Sequence, residues 1–209
     1  MVFLVASILA AYLIGAFPTA YIFGKLLKGI DIREYGSGNV GATNVFRTVG
    51  KIPGILVFII DVLKGTAAVV LLPLAVKTID PDAFILSYDY FYILLGASAI
   101  AGHMWTCFLK FKGGKGVATT AGVMAGLSPG VLGACLIVWI VIFSLWKFVS
   151  LASICSAVFM PIFSLITGKS LEFIIFTTIL CIAGVHAHRS NIRRLIQGTE
   201  RRLVSSSKS

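Results

Sequence analysis

Met1-Val-Phe-Leu-Val-Ala-Ser-Ile-Leu-Ala-Ala-Tyr-Leu-Ile-Gly-Ala-Phe-Pro-Thr-Ala-Tyr-Ile-Phe-Gly-Lys25 runs without a charge until its last residue. About 20 apolar residues cross a hydrocarbon core of roughly 30 Å as a helix, so this stretch predicts a membrane span over residues 1–27. It is expected to stay in the mature chain, because it has no basic leader and passes Pro18 and Tyr21 without a small-residue cleavage pattern. The composition around it belongs to the same class. With 58% hydrophobic and 12% charged residues and a mean hydropathy of +0.98, the chain lies far from soluble domains and reads as an integral membrane protein.

Lys25, Lys28 and Arg33 follow the first run, and the positive-inside rule places them in the cytoplasm with the N-terminus outside. Further spans are predicted at residues 53–76, 90–109, 117–127, 131–146 and 149–166, with a seventh ending near 185. Pro53 sits where a first-turn proline belongs. Residues 78–89 hold three aspartates and no lysine or arginine, as an external loop would. All but three of the 18 lysines and arginines then fall on the cytoplasmic side: Lys77 and Lys169 lie outside and Lys64 within a span. The expected architecture is all-α, a single bundle of seven transmembrane helices forming one domain over residues 1–209. Its C-terminus is cytoplasmic, with a disordered serine-rich tail from about residue 204. The cysteines at 107, 135, 155 and 181 fall in apolar stretches without metal-ligand spacing, and no disulfide framework is implied.

Three polar islands interrupt this apolar pattern. The first, residues 36–51, reads Gly-Ser-Gly-Asn-Val-Gly-Ala-Thr-Asn-Val-Phe-Arg-Thr-Val-Gly-Lys. Its glycines allow close backbone approach or inward-pointing N–H groups; Ser37, Asn39, Thr43 and Asn44 offer neutral donors and Arg47 a forked cation, an inventory suited to a phosphate. The second, Lys110-Phe-Lys-Gly-Gly-Lys-Gly116, stands at the mouth of the fourth span. Successive glycines before a helix N-terminus, with Lys115 among them, suit an anion. Anchoring to lipid headgroups accounts for Lys110 and Lys112 but gives no reason for Gly113, Gly114 and Gly116.

The third island runs from His186 to Arg202. On a helix His188, Asn191 and Arg194 share a face, and Gly198 ends the helix before Glu200. Lipid attraction accounts for Arg193, Arg194, Arg201 and Arg202, but not for His188, Asn191 or Glu200. Within the second span Asp61 and Lys64 share a face, either as a structural ion pair or as a substrate contact. Gly36, Gly38 and Gly41 spell a dinucleotide fingerprint, and Gly114-Lys115 echoes a P-loop, but neither pattern has its strand-turn-helix context.

Taken together, the three islands resemble the motifs of the bacterial acyl-phosphate-dependent glycerol-3-phosphate acyltransferase family, in order and over nearly the whole chain. The resemblance rests on residues 36–44 with Arg47, on residues 111–119, and on His188, Asn191, Ile192, Arg194, Leu195 and Gly198-Thr-Glu200. It implies a seven-helix membrane enzyme that makes lysophosphatidic acid from a long-chain acyl phosphate and glycerol 3-phosphate, with no metal or other cofactor. Substrate-binding roles would fall on Ser37, Arg47 and Lys115, with His188, Asn191 and Glu200 at or beside the reacting centre. Gly38, Asn39, Thr43, Asn44, Gly113, Gly114 and Gly116 complete the expected binding set.

The chemistry of the residues agrees. Two phosphates must be held beside a bilayer that stores the acyl chain, and two glycine-and-cation turns are expected on one membrane face. Which phosphate occupies which turn is open at this level, as is whether His188 is a base or only orients the attacking hydroxyl. The chain lacks a His-x-x-x-x-Asp pattern, and no serine or cysteine has an evident activating partner, so direct attack on an activated acyl group is expected. The expected partners are these two substrates and membrane lipid, with no nucleic acid and a monomeric state. The competing class is a transporter or flippase for an anionic solute, which would place its polar residues near the bilayer midplane and in matching halves.

Overall fold

The computed structural model of the protein describes residues 2–79 and 88–203. Most of the expected external loop and the expected disordered tail fall outside those residues. Every regular element among the described residues is helical, and the chain divides into two compact units, Met1–Ser128 and Pro129–Ser209.

The first unit begins with α1 (Val2–Ala16), which stops before Phe17-Pro18, and the chain resumes as α2 (Thr19–Lys28). Pro18 has no N–H for the helical ladder and its ring crowds the preceding turn, so the expected first span is a broken one. Carbonyls at the break take donors from elsewhere in the unit: Thr106 Oγ1, just past α5, donates to Ala16 O at 2.6 Å, and Lys64 Nζ donates at 3.2 Å to Phe17 O, which also accepts from Thr19 N–H at 3.0 Å. The unit continues through α3 (Ala42–Thr48), the long α4 (Lys51–Ile79), α5 (Tyr88–Met104) and α6 (Val117–Leu127). Pro53 lies in the first turn of α4, where its missing N–H costs nothing.

Helices α1 and α5 lie in backbone contact, as do α4 and α6. A Cβ on Gly15 would stand 1.9 Å from Ala99 O, and one on Gly102 would stand 2.1 Å from Tyr12 O. On the other pair, Gly65 meets Thr119 O at 2.3 Å and Gly122 meets Val62 O at 1.9 Å by the same measure. Lipid tails are as apolar as leucine, so such close dispersion contact, rather than the hydrophobic effect, drives helix association in a bilayer.

The second unit comprises α7 (Pro129–Trp146), α8 (Val149–Ile166), α9 (Leu171–Ala187) and α10 (Arg189–Ile196). Helix α8 packs against both α7 and α9. Polar side chains bridge α7 and α8: Trp139 Nε1 donates to Ser153 Oγ at 3.2 Å and Ser156 Oγ to Cys135 O at 2.7 Å. Helix α9 ends at Ala187, close to the expected end of the last span, and α10 carries Asn191 and Arg194 with His188 at its start; the two helices meet at a bend of 57°. The His188 ring reaches back to Gly184 O at 2.7 Å, beside the His188 N–H, which meets the same carbonyl at 3.1 Å.

Among the described residues five segments can cross a membrane by length and hydropathy: Val2–Lys28, Lys51–Ile79, Tyr90–Leu109, Pro129–Trp146 and Val149–Ile166. The bent α9–α10 pair makes a sixth. Helix α6 has the bounds expected of the fourth span, but its 11 residues rise only about 17 Å, less than a hydrocarbon core of roughly 30 Å.

Candidate active site

In the first unit, Asn44 organises the first island. Its side chain is buried; Oδ1 accepts from Ser37 N–H at 2.9 Å, while Nδ2 donates to Ile32 O at 3.1 Å and Tyr35 O at 3.0 Å. Gly36 adopts φ 64°, and a Cβ there would come within 2.3 Å of Asn44 Oδ1, so the turn needs glycine on both counts. Gly38 N donates to Tyr35 O at 3.0 Å. The amides of Ser37 and Gly38 are therefore used inside the loop, which corrects the expectation of inward-pointing N–H groups there. The Ser37 side chain lies at an exposed position, Asn39 and Thr43 are half-buried, and Arg47 is half-buried in the last turn of α3. Upstream, Asp31 caps the Ile32–Glu34 turn, and hydrogen bonds from Arg33 hold its carboxyl down at about 2.

The second island shows the same economy. Gly113 N donates to Met104 O at 3.1 Å and Gly114 N to His103 O at 3.0 Å, so the turn is stapled to the end of α5. A Cβ on Gly113 would stand 2.0 Å from His103 O, and one on Gly114 would stand 2.2 Å from His103 Nε2 and 2.8 Å from Val40 O. These two glycines are thus demanded by packing, and the amide cradle expected of them is not what they form. Gly116, at φ 81°, caps the N-terminus of α6 without a side chain, and half-buried Lys115 precedes it. The first two islands meet here. Val40 of the first lies against Gly114 of the second, and Val40, Val45 and Leu109 share a small core with Ile32 and Val57.

In the second unit, the third island closes on Glu200. Its carboxylate accepts from Ser150 Oγ at 2.8 Å, Asn191 Nδ2 at 2.7 Å and Arg194 Nε at 2.6 Å. Burial pushes the pKa of Glu200 up, but the three hydrogen bonds and the Arg194 charge outweigh it and leave the group below the ordinary carboxylate value. Gly198 (φ 69°) makes the return possible: Thr199 N reaches Arg194 O and Gly198 N reaches Leu195 O, the Schellman ending of α10. Arg194, expected at the lipid surface, is instead held by Glu200, while Arg202 stacks over Phe148 at 5.4 Å. His188 is buried, and because a carbonyl only accepts, its Nδ1 donates to Gly184 O; in the neutral ring Nε2 then carries the lone pair.

Sequence reasoning missed His103, Thr19, Thr106 and Ser150. Only Thr19 carried a signal, as a polar residue directly after a proline inside an apolar run. Asp61 and Lys64 form the ion pair that their spacing suggested, at 2.7 Å.

Broken apolar helices bearing cationic glycine turns, with a His–Asn–Glu cluster beside a helix bend, define a multi-pass integral membrane protein. A family model described as glycerol-3-phosphate acyltransferase matches residues 5–198. The chain is 42% identical to a glycerol-3-phosphate acyltransferase of Desulforamulus reducens, over 94% of this chain and 93% of that one. It is 41% identical to one of Clostridioides difficile, over 92% of each. The crystal structure of PlsY (YgiH), an integral membrane glycerol 3-phosphate acyltransferase, superposes in its glycerol 3-phosphate form with a TM-score of 0.85 at 37% identity, covering 96% of each chain. Its lysophosphatidic acid form gives 0.82 at the same identity, over 96% of this chain and 95% of that one. The chain belongs to the glycerol-3-phosphate acyltransferase family.

Proposed function

We propose that the protein transfers a fatty acyl group from acyl phosphate to glycerol 3-phosphate, giving lysophosphatidic acid and inorganic phosphate at the cytoplasmic face of a bacterial inner membrane. The observation that carries the reading is the meeting of two cation-bearing turns at Val40 and Gly114, on a chain whose family acts on a phosphate-bearing acceptor. The acceptor hydroxyl oxygen attacks the acyl carbon, the bond from that carbon to the phosphate oxygen breaks, and the hydroxyl proton passes to His188 Nε2 or to the departing phosphate. No acyl-enzyme forms.

Lys115, with the first-turn amides of α6, holds the acyl phosphate and stabilises charge growing on the leaving group. Arg47 grips the glycerol 3-phosphate dianion through paired hydrogen bonds, assisted by Ser37, Asn39 and Thr43. Gly38, Gly113, Gly114 and Gly116 shape these turns, and Asn44 fixes the first of them. His188 and Asn191 orient the hydroxyl, and Glu200 acts by holding Asn191 and Arg194. No cofactor takes part.

The decisive assay offers purified protein glycerol 3-phosphate with acyl phosphate, acyl-CoA or acyl carrier protein in turn, and measures lysophosphatidic acid. Turnover with either thioester at the acyl phosphate rate defeats the proposed donor. The proposed topology has seven crossings, with α6 as the short one, the N-terminus outside and the C-terminus in the cytoplasm. In a cysteine-free background, single cysteines at Gly50, Lys112 and Gln197 should react with an impermeant thiol reagent from the cytoplasmic side only, and one at Lys169 from outside only. Labelling of Lys112 and Lys169 from one side removes this topology.

A further inference from the structure

Under the second glycine turn lies a buried polar cluster that the proposed chemistry leaves idle. Asp61, Lys64 and His103 are 2%, 7% and 7% exposed. Lys64 pairs with Asp61 at 2.7 Å, Thr19 Oγ1 donates to Asp61 Oδ1 at 3.1 Å, and His103 Nδ1 faces the same carboxylate oxygen at 3.8 Å. A charge pair inside a span is costly enough to need a reason. Part of the reason is the broken first span, whose Phe17 carbonyl Lys64 satisfies. That does not account for His103, whose ring points Nδ1 at Asp61 and Nε2 at the turn.

The geometry of the turn supplies the rest. Gly114 rests on the edge of the His103 imidazole closely enough that any side chain would overlap Nε2, and the His103 carbonyl takes the Gly114 amide. The same groups line a small cavity of about 10 Å³ together with Thr106, Gly113 and Val40. The residue next along the chain is Lys115. We propose that His103 is a positioning residue: its ring and carbonyl form the seat of the Gly113–Gly114 turn and thereby fix Lys115 against the acyl phosphate, while Asp61, Lys64 and Thr19 hold the ring in register.

The seat is rigid because each component is tied to a different helix: Thr19 to α2, Asp61 and Lys64 to α4, and His103 to α5. Displacing a cation by about 1 Å from a reacting phosphate is enough to cost one to two orders of magnitude. This proposal rests on the assignment of acyl phosphate to the Lys115 turn, and the test separates the two.

Steady-state kinetics in detergent, varying each substrate, would compare His103→Ala, His103→Gln and Lys115→Ala with the native protein, with thermal unfolding followed alongside. His103→Ala is expected to raise the KM for acyl phosphate about tenfold and leave that for glycerol 3-phosphate within about twofold. His103→Gln, which returns a polar atom to similar depth, should recover most of the loss. If Lys115→Ala leaves the acyl phosphate KM unchanged, the assignment of that substrate is wrong, whatever His103 does. If Lys115→Ala behaves as assigned but His103→Ala lowers only the unfolding temperature, or raises both KM values alike, His103 is structural and the proposal fails. Should His103→Ala not fold, His103→Asn replaces it: an acyl phosphate KM above that of His103→Gln supports the seat, and equal values overturn it.

Discussion

Two carboxylates hold this protein's polar clusters, and they do so in opposite surroundings. Asp61 lies within a span and is faced by Lys64, Thr19 and His103; Glu200 follows a bent helix pair and is faced by Ser150, Asn191 and Arg194. Asp61 has a cation three residues away on its own helix, so its pair is preassembled when α4 forms. Glu200 draws its donors from two helices, α8 and α10, and its cluster exists only once Gly198 has turned the chain back. The first cluster is therefore part of how the unit packs in lipid, and the second is a latch on a loop.

The largest expected difference lies in what happens when each carboxylate is removed. Asp61→Ala strands a buried lysine, and truncating one partner of such a pair costs roughly 3–5 kcal/mol. Little folded protein should be extractable, as size-exclusion chromatography in detergent would show. Replacing Asp61 and Lys64 together by leucine should recover part of the loss, because an apolar pair is tolerated there. Recovery would stay incomplete, since the Phe17 carbonyl loses one of its donors and keeps only the Thr19 N–H and hydroxyl nearby. If Asp61→Ala folds as well as Glu200→Ala, the distinction between packing element and latch collapses.

An intermediate effect is expected at Arg47. A point charge replaces a forked one poorly, so Arg47→Lys should lower kcat/KM for glycerol 3-phosphate by roughly 10- to 100-fold, while Arg202→Ala, which loses only its stacking on Phe148, should stay within about twofold. Equal losses in folded variants would mean that general basicity, not a defined phosphate grip, is at work.

The smallest effect, and the one with a pH signature, belongs to Glu200→Gln. The folded-state pKa of Glu200 is lowered, so its stabilisation is fully present above its ordinary value of 4.5 and is lost as pH falls through the folded value. The unfolding temperature of Glu200→Gln should therefore lie below that of the native protein at pH 7, and the gap should narrow below about pH 4.5. A gap that is constant down to pH 3 would show that the carboxylate charge contributes nothing to the latch.

Much of this was legible in the sequence, for identifiable reasons. The apolar runs announced the class, and the spacing of Asp61 and Lys64 announced their pairing, because both signals are local. The 57° bend at His188 was not legible, since no proline or glycine stands at it. Pro18 was visible, but its consequence required knowing that Thr106 and Lys64 would supply donors at the break. Gly113 and Gly114 were read as an anion cradle because an absent side chain looks the same whether a phosphate or a neighbouring helix fills the space. Only the position of His103 distinguishes the two. Asn44 was read as a ligand donor for the same reason: a carboxamide has no sequence mark that separates binding a substrate from tying a loop.

The short helix α6 has a consequence for the lipid around it. At 11 residues it rises about 17 Å, against a hydrocarbon thickness of roughly 30 Å. If α6 is the short crossing proposed above, roughly 13 Å of that thickness would have to be made up along it by other parts of the chain or by a bilayer drawn thinner beside it. Lys115 stands just before one end of this helix, and a mismatch on that side would fall near the cation. A dimple there would let a headgroup-sized anion descend toward the acyl region, and a fatty chain could present its activated end without leaving its own leaflet. Sensitivity of turnover to the acyl length of the host lipid, at fixed substrate, would register that mismatch directly.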